Sequence, residues 1–287
     1  MVLYTDVSRA VSAITIGAAL AFTMGGLSYQ QAAWYFQNFP KDRRRFKLLV
    51  AMLHMLDVAH SVTIAIFIYN LDVIHWGAKN IDMDFKIFGV SLFFSSIIIS
   101  SVMLFYGYRI YVMTRSYLVS GIVVIGSIIY FCLIMMLAIY YVTNPNNLKS
   151  SVVIFANVCS STIDTVIATT ILQRYLRTRG SNFEAEKVVT HIALLSIQTN
   201  AVTTIFATAA MILYLTHIDG WSNAVYMLCV KMYVISLLTV LNSRPRTSDI
   251  DTAYSIWTST APALFPDDYE VSSNNEDMLM HSSRGSS

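Results

Sequence analysis

Charge is what this sequence has least of. Its 287 residues include 19 Lys or Arg and 17 Asp or Glu, 13% in all, where soluble domains run near about 25%. Apolar residue types make up 55%, so there is too little charge to coat a water-soluble globule, and the expected class is a polytopic membrane protein. The net charge of +2 gives no global field toward nucleic acid, and no such partner is expected. Cysteine is equally sparse: Cys132, Cys159 and Cys229 each sit inside an apolar run, which excludes a disulfide framework or a zinc knuckle. No Asn-x-Ser/Thr sequon occurs, so no loop carries a glycosylation signal. The five prolines, Pro40, Pro145, Pro245, Pro262 and Pro266, fall in loops or the tail, and no helix is expected to kink at one. Transporters often build midplane sites from Gly/Pro-broken helices. Here only Gly25-Gly26 offers a comparable break, which lowers the transporter reading without removing it.

What the chain does have is long apolar runs. A bilayer-spanning helix needs roughly 20 mostly apolar residues, and seven such runs can be read: 10–36, 48–69, 87–113, 117–142, 151–172, 188–216 and 222–241. The sixth is the most polar, with His191, Gln198, Asn200, Thr203, Thr204 and Thr208. The first continues about fifteen residues past Ala19-Leu20-Ala21 and has no Lys/Arg-led start, so it reads as a span rather than a signal peptide. The predicted fold is all-α, with a seven-helix transmembrane domain over residues 1–243. Residues 244–287 are rich in Ser, Thr, Asn and acidic side chains and read as a disordered cytosolic tail.

Orientation follows from the basic residues. Fourteen lie on the side reached after odd-numbered helices, including Lys41 to Lys47, Arg174, Arg177 and Arg244, against four on the other side. The excess places the amino terminus outside and the carboxyl terminus in the cytosol. The plasma membrane is expected over internal membranes.

Three formally charged side chains fall near mid-helix: Asp57 in the second run, Asp164 in the fifth and Lys231 in the seventh. Each would cost on the order of 2.5 to 3.5 kcal/mol facing lipid, so each should face the bundle. At about 1.5 Å per residue, Asp57 and Asp164 lie roughly 15 Å from their basic anchors and Lys231 roughly 20 Å, one shared layer. A sequential ring sets the seventh helix beside the second, which pairs Lys231 with Asp57. Asp164 is then left to Gln198 and Asn200 of the sixth helix, or to a protonated state. His54 and His60 flank Asp57 at three residues on either side. That stripe offers metal ligands, but zinc wants three or four that converge and His191 lies shallower. Hydrogen bonds within the bundle are the expected role of the histidines, with no metal and no cofactor. Two readings of the layer stay open: interhelical packing, and a small-molecule, ion or proton site formed by Asp57, His60, Asp164, Asn200 and Lys231.

Function classes can be narrowed by what is missing. Marks of rhodopsin-like receptors are absent: no acidic residue precedes Arg109 in Tyr106-Gly107-Tyr108-Arg109, and the seventh run has no Asn-Pro-x-x-Tyr. Lys231 invites comparison with retinal Schiff-base lysines, but Met227 stands four residues earlier where microbial members have aspartate, and the third run offers no counter-ion. No Gly-x-Ser-x-Gly or His-Glu-x-x-His points to an intramembrane enzyme.

The segments Phe39-Pro40-Lys41-Asp42, Lys47-Leu48-Leu49-Val50, Leu56-Asp57-Val58-Ala59-His60 and Trp76-Gly77 form one part of a pattern. Asp164, Leu172, Leu176, Arg177 and Thr178 continue it, and Lys231-Met232-Tyr233 and Leu241-Asn242-Ser243-Arg244 close it. Together they resemble an uncharacterised seven-helix family abundant in mushroom-forming fungi, catalogued as a domain of unknown function. The chain departs from it at Arg177-Thr178-Arg179-Gly180 and Glu184-Ala185-Glu186. The resemblance implies a recurring role for Asp57, His60, Asp164, Lys231 and the Asn242-Ser243-Arg244 end, but no activity. Asn242 is expected to bond the last carbonyls of the seventh helix while Arg244 anchors at the headgroups. A cytosolic protein partner on Arg177, Arg244 and the 41–47 loop, or on the tail, is the sharper alternative. The overall expectation is a receptor-like or sensory protein without enzymatic activity, with a small-solute or proton transporter as runner-up. Gly17-x-x-x-Ala21 is read as a packing motif within or between chains.

Overall fold

The computed structural model describes residues 2–74, 82–143, 150–178, 184–216 and 220–244, and among them all regular structure is helical. Seven α-helices follow in order: α1 Val2–Asn38, α2 Arg44–Tyr69, α3 Asp82–Thr114, α4 Tyr117–Thr143, α5 Ser150–Thr178, α6 Glu184–Leu215 and α7 Trp221–Asn242. Six of them contain a segment long and apolar enough to cross a bilayer: Arg9–Asn38, Arg44–Ile74, Lys86–Thr114, Tyr117–Thr143, Ser151–Arg174 and Trp221–Asn242. In α6 the side chains are described almost wholly from Asn200 on, and that part, Asn200–Leu215, is an apolar helix shorter than a full span. Among the described residues, the reading of seven spans is met for six. The expected disordered tail, apart from Arg244, lies outside the described residues, as do Trp76, Gly77 and Arg179.

The surface of this bundle is apolar where a soluble protein would be polar. In α4 the buried positions Val123, Ser127, Tyr130, Ile134, Leu137 and Tyr141 recur every three or four residues, while Leu118, Ile122, Ile125, Ile129, Met136 and Ile139 point outward. One helix face meets protein and the other meets hydrocarbon. The chain is a multi-pass α-helical membrane protein.

The most enclosed helix is α7, with 12 of its 22 residues buried. It packs against α1, α2, α3 and α6. Its contact with α1 is built on small residues. A Cβ added at Gly17 would stand 2.4 Å from Cβ of Ala224, and one at Gly220 would stand 2.4 Å from the carbonyl oxygen of Ala10. Gly220 also takes φ of +88° at the start of α7. Gly17 of the Gly17-x-x-x-Ala21 motif thus packs α1 on α7 of the same chain. Gly25-Gly26, read as a break, lies inside an unbroken helix.

Two local features escape sequence reading. The end of α2 widens into a π-turn, Asn70–Ile74, which brings Asp72 to accept a hydrogen bond from the Thr15 hydroxyl of α1 at 2.9 Å. The α3–α4 hairpin closes through Arg115 and Ser116 alone. Arg115 reaches the left-handed region at φ +55° to do it, with its N–H on the Tyr111 carbonyl at 2.8 Å.

Candidate functional site

The helical repeat decides which residues of α2 face inward. Its buried stripe runs Val50, Leu53, Asp57, His60, Ile64 and Phe67, steps of three and four that track a 3.6-residue period. Asp57 therefore belongs to the core face as fully as its apolar neighbours. From α7 the Lys231 ammonium meets it with all three N–H groups engaged: Asp57 Oδ1 at 2.5 Å, Ser61 Oγ at 2.6 Å and the Asp57 carbonyl at 3.1 Å. The other carboxylate oxygen, Oδ2, accepts from Ser28 of α1 at 2.6 Å. The expected Lys231–Asp57 pair is present, and it ties three helices together. A buried ion pair repays its desolvation only when its remaining valences are satisfied, and here they are.

The histidines behave differently from expectation. His60 is fully buried, yet neither ring nitrogen has a hydrogen-bond partner. His54 lies to the side of the buried stripe, its ring tilted against Tyr29 at 5.5 Å between centroids, and its Nδ1 is likewise without one. Offsets of three residues put the two rings about 60° to either side of Asp57, and the stripe slants toward His60. Among the described residues no three His, Cys, Asp or Glu side chains are grouped to hold a metal ion.

Asp164 finds its partner on an element the sequence did not suggest. Gln198 is exposed, and the Asn200 side chain is buried with its Nδ2 unbonded. The hydrogen bond to Asp164 Oδ2 comes instead from the Tyr233 hydroxyl of α7. That same phenol lies 3.0 Å from Ser160 Oγ, one turn before Asp164 on α5. Asp164 Oδ1 has no hydrogen-bond partner. Tyr233 stands two residues after Lys231, about 200° around the helix, so α7 presents a cation toward α2 and a phenol toward α5 at one level. A Tyr two residues from the lysine in a mostly apolar run was the available signal. Arg109, counted from sequence with the basic loops, is instead buried within α3 at 8% exposure.

At the end of the bundle where α1 and α7 finish, a third cluster forms around Arg244. Its Nη2 donates to Asp42 Oδ2 at 2.6 Å and its Nε to the Leu241 carbonyl at 2.9 Å. The guanidinium lies 5.1 to 5.9 Å from the ring centroids of Phe46, Phe39 and Tyr35, within cation–π range. Asp42 also accepts from the Tyr35 hydroxyl at 2.6 Å and the Arg43 N–H at 2.8 Å. Burial pushes the Asp42 carboxyl up, but the Arg244 charge and these donors together outweigh it and hold the group below its ordinary value. The expected headgroup anchor is thus folded inward, with an Arg244 side chain only 12% exposed. Asn242 does not bond the last carbonyls of its own helix: its Nδ2 donates to the Gln31 carbonyl of α1 at 2.9 Å. The side chains of Arg177 and His191 lie outside the described residues.

The second half of the chain has a recognisable relative. Residues 160–246 match the model of a family of unknown function (DUF6534). The stretch takes in Ser160, Asp164, Lys231, Tyr233 and Arg244, while Asp57 and Asp42 precede it. No curated protein and no solved structure matches the chain.

Proposed function

We propose that the protein is a receptor-like or sensory membrane protein of seven spans, without enzymatic activity, with its amino terminus outside and its carboxyl terminus in the cytosol of the plasma membrane. The observation that carries this reading is the closure of the midplane layer. Asp57, His60, Asp164, Asn200 and Lys231 are each at most 2% exposed, so almost no water-sized space reaches them. A permeation pathway lined by these groups needs such space, whereas a bundle that relays a shape change between its two ends does not. The clasp of Arg244 on Asp42 joins the end of α7 to the α1–α2 loop, at the end where the basic excess lies. Exposed Lys41, Arg44 and Arg45 beside it suit an acidic surface on a cytosolic partner, and a small-molecule ligand would act from the opposite end.

The runner-up, a small-solute or proton transporter using Asp57, Asp164 and Lys231, is favoured by one feature, the unbonded oxygen of Asp164. Flux assays in liposomes separate the two. The expected result is no proton or ion flux above protein-free vesicles. Reproducible flux abolished by Asp57→Asn would reverse the ranking.

A further inference from the structure

Four described carboxylates have resolved partners, and they are not treated alike. Asp72, only partly buried at the end of α2, accepts from the Thr15 hydroxyl. Asp42 receives a guanidinium, a phenol and a backbone N–H. Asp57 receives an ammonium and a serine hydroxyl. Asp164, as deeply buried as either, receives one phenol on Oδ2 and nothing on Oδ1.

An ionised carboxylate in that position costs several kcal/mol unless a charge and further donors answer it. Each candidate for that answer is otherwise engaged or absent. Lys231 directs its three N–H groups at Asp57 and Ser61. Arg109, the buried cation of α3, stands five residues from that helix's end at Thr114 and interacts electrostatically with Tyr106. Among the described residues, the titratable groups within electrostatic reach of Asp164 are Tyr233 and Cys229 of α7 and Tyr130 of α4, none of them cationic. The described polar residues of α6 at this level, Asn200 and Thr203, do not ionise. A metal ion needs several oxygens and space for itself, and Asp164, Tyr233 and Asn200 are enclosed to within 1%. A proton needs no space.

We infer that Asp164 is a proton-binding site, occupied in the closed bundle at neutral pH. With the carboxyl protonated, Asp164 Oδ2 donates to Tyr233 Oη and the Tyr233 hydroxyl to Ser160 Oγ, across the same pairs of oxygens but with the opposite polarity to the one an ionised carboxylate takes. When the proton leaves, the chain of hydrogen bonds reverses: Ser160 donates to Tyr233 and Tyr233 to the carboxylate. The new negative charge then has one donor and no cation among the described residues, a state that favours water entry or separation of α5 from α7. Proton occupancy at Asp164 is thereby coupled to the position of α7. The inference stands apart from the choice between receptor and transporter, since either can carry a bound proton.

Infrared difference spectroscopy of the full-length protein in nanodiscs tests it. The carbonyl stretch of a protonated carboxylic acid should be present at neutral pH in the wild type and lost in Asp164→Asn, an isostere of the neutral acid with the unfolding midpoint expected unchanged. Tyr233→Phe, which keeps the acid and removes its partner, should shift the band to higher frequency, and this arm holds if Asp164→Asn fails to fold. Absence of the band in the wild type, or its persistence unshifted in both variants, overturns the site. An exchange of choline for sodium that stabilises the wild type but not Asp164→Asn, with no acid band, overturns it in favour of a bound cation.

Discussion

Lys231 of α7 directs its ammonium onto the Asp57 carboxylate of α2 at 2.5 Å, across 174 positions of sequence and with neither residue more than 2% exposed. The two helices share few other contacts, so this pair and its Ser28 and Ser61 partners fix how α2 is turned toward α7.

Removing one member strands the other. Lys231→Met leaves a buried carboxylate without its cation, and a loss of about 3 to 5 kcal/mol is expected, read as a lowered unfolding midpoint of the purified protein in detergent. The double variant Lys231→Met with Asp57→Asn should be less impaired than the two single losses combined. A double loss equal to their sum means that no coupling links them.

The α1–α7 contact is limited by backbone distance. Gly17→Ala drives a methyl to 2.4 Å from Cβ of Ala224, and overpacking of this kind costs about 1 to 3 kcal/mol. Gly26, where an added Cβ meets nothing within 4 Å, is the internal comparison. Gly26→Ala should be neutral or gain up to about 1 kcal/mol from helix propensity. Thermal unfolding of both variants against the wild type gives the sign.

The Arg244–Asp42 clasp has a pH signature. Because the folded-state value of Asp42 is lowered, its contribution is complete at neutral pH and is lost as pH falls below about 4. Asp42→Asn should cost about 1.5 to 3 kcal/mol at neutral pH and show a flatter acid limb than the wild type. Arg244→Lys should not restore the clasp, since an ammonium neither forks between Asp42 and the Leu241 carbonyl nor stacks its plane on Phe39 and Phe46. Unfolding midpoints across an acid series provide the check.

Arg115 holds a left-handed backbone at φ +55°, which costs a residue bearing Cβ roughly 1 kcal/mol or more relative to glycine. Arg115→Gly should therefore raise stability by up to about 1 kcal/mol. A fall instead would show that the side chain's contacts in the hairpin outweigh the strain.

Some of this was open to reading in the sequence because it depends on one helix at a time. The predicted run 117–142 became Tyr117–Thr143 and 222–241 became Trp221–Asn242, since length and apolarity alone select bilayer-spanning segments. The common depth of Asp57, Asp164 and Lys231 was legible for a similar reason: helical rise is constant, so counting residues measures distance along the axis. The α6 run was the least legible, because Gln198, Asn200, Thr203, Thr204 and Thr208 interrupt its apolar sequence.

What the sequence by itself determined is therefore the class, the approximate ends of the helices and the level at which each buried charge sits. The tertiary structure alone decided which way those charges point and whom they meet. It turned Tyr233 rather than Asn200 to Asp164 and folded Arg244 onto Asp42 rather than outward to headgroups. It also kept Ala224 against Gly17 within one chain. The physical reason is that helical rise is local and repeats at every residue. The rotation and lateral order of helices are instead set by contacts between segments far apart in the chain, which no periodicity within a single segment encodes.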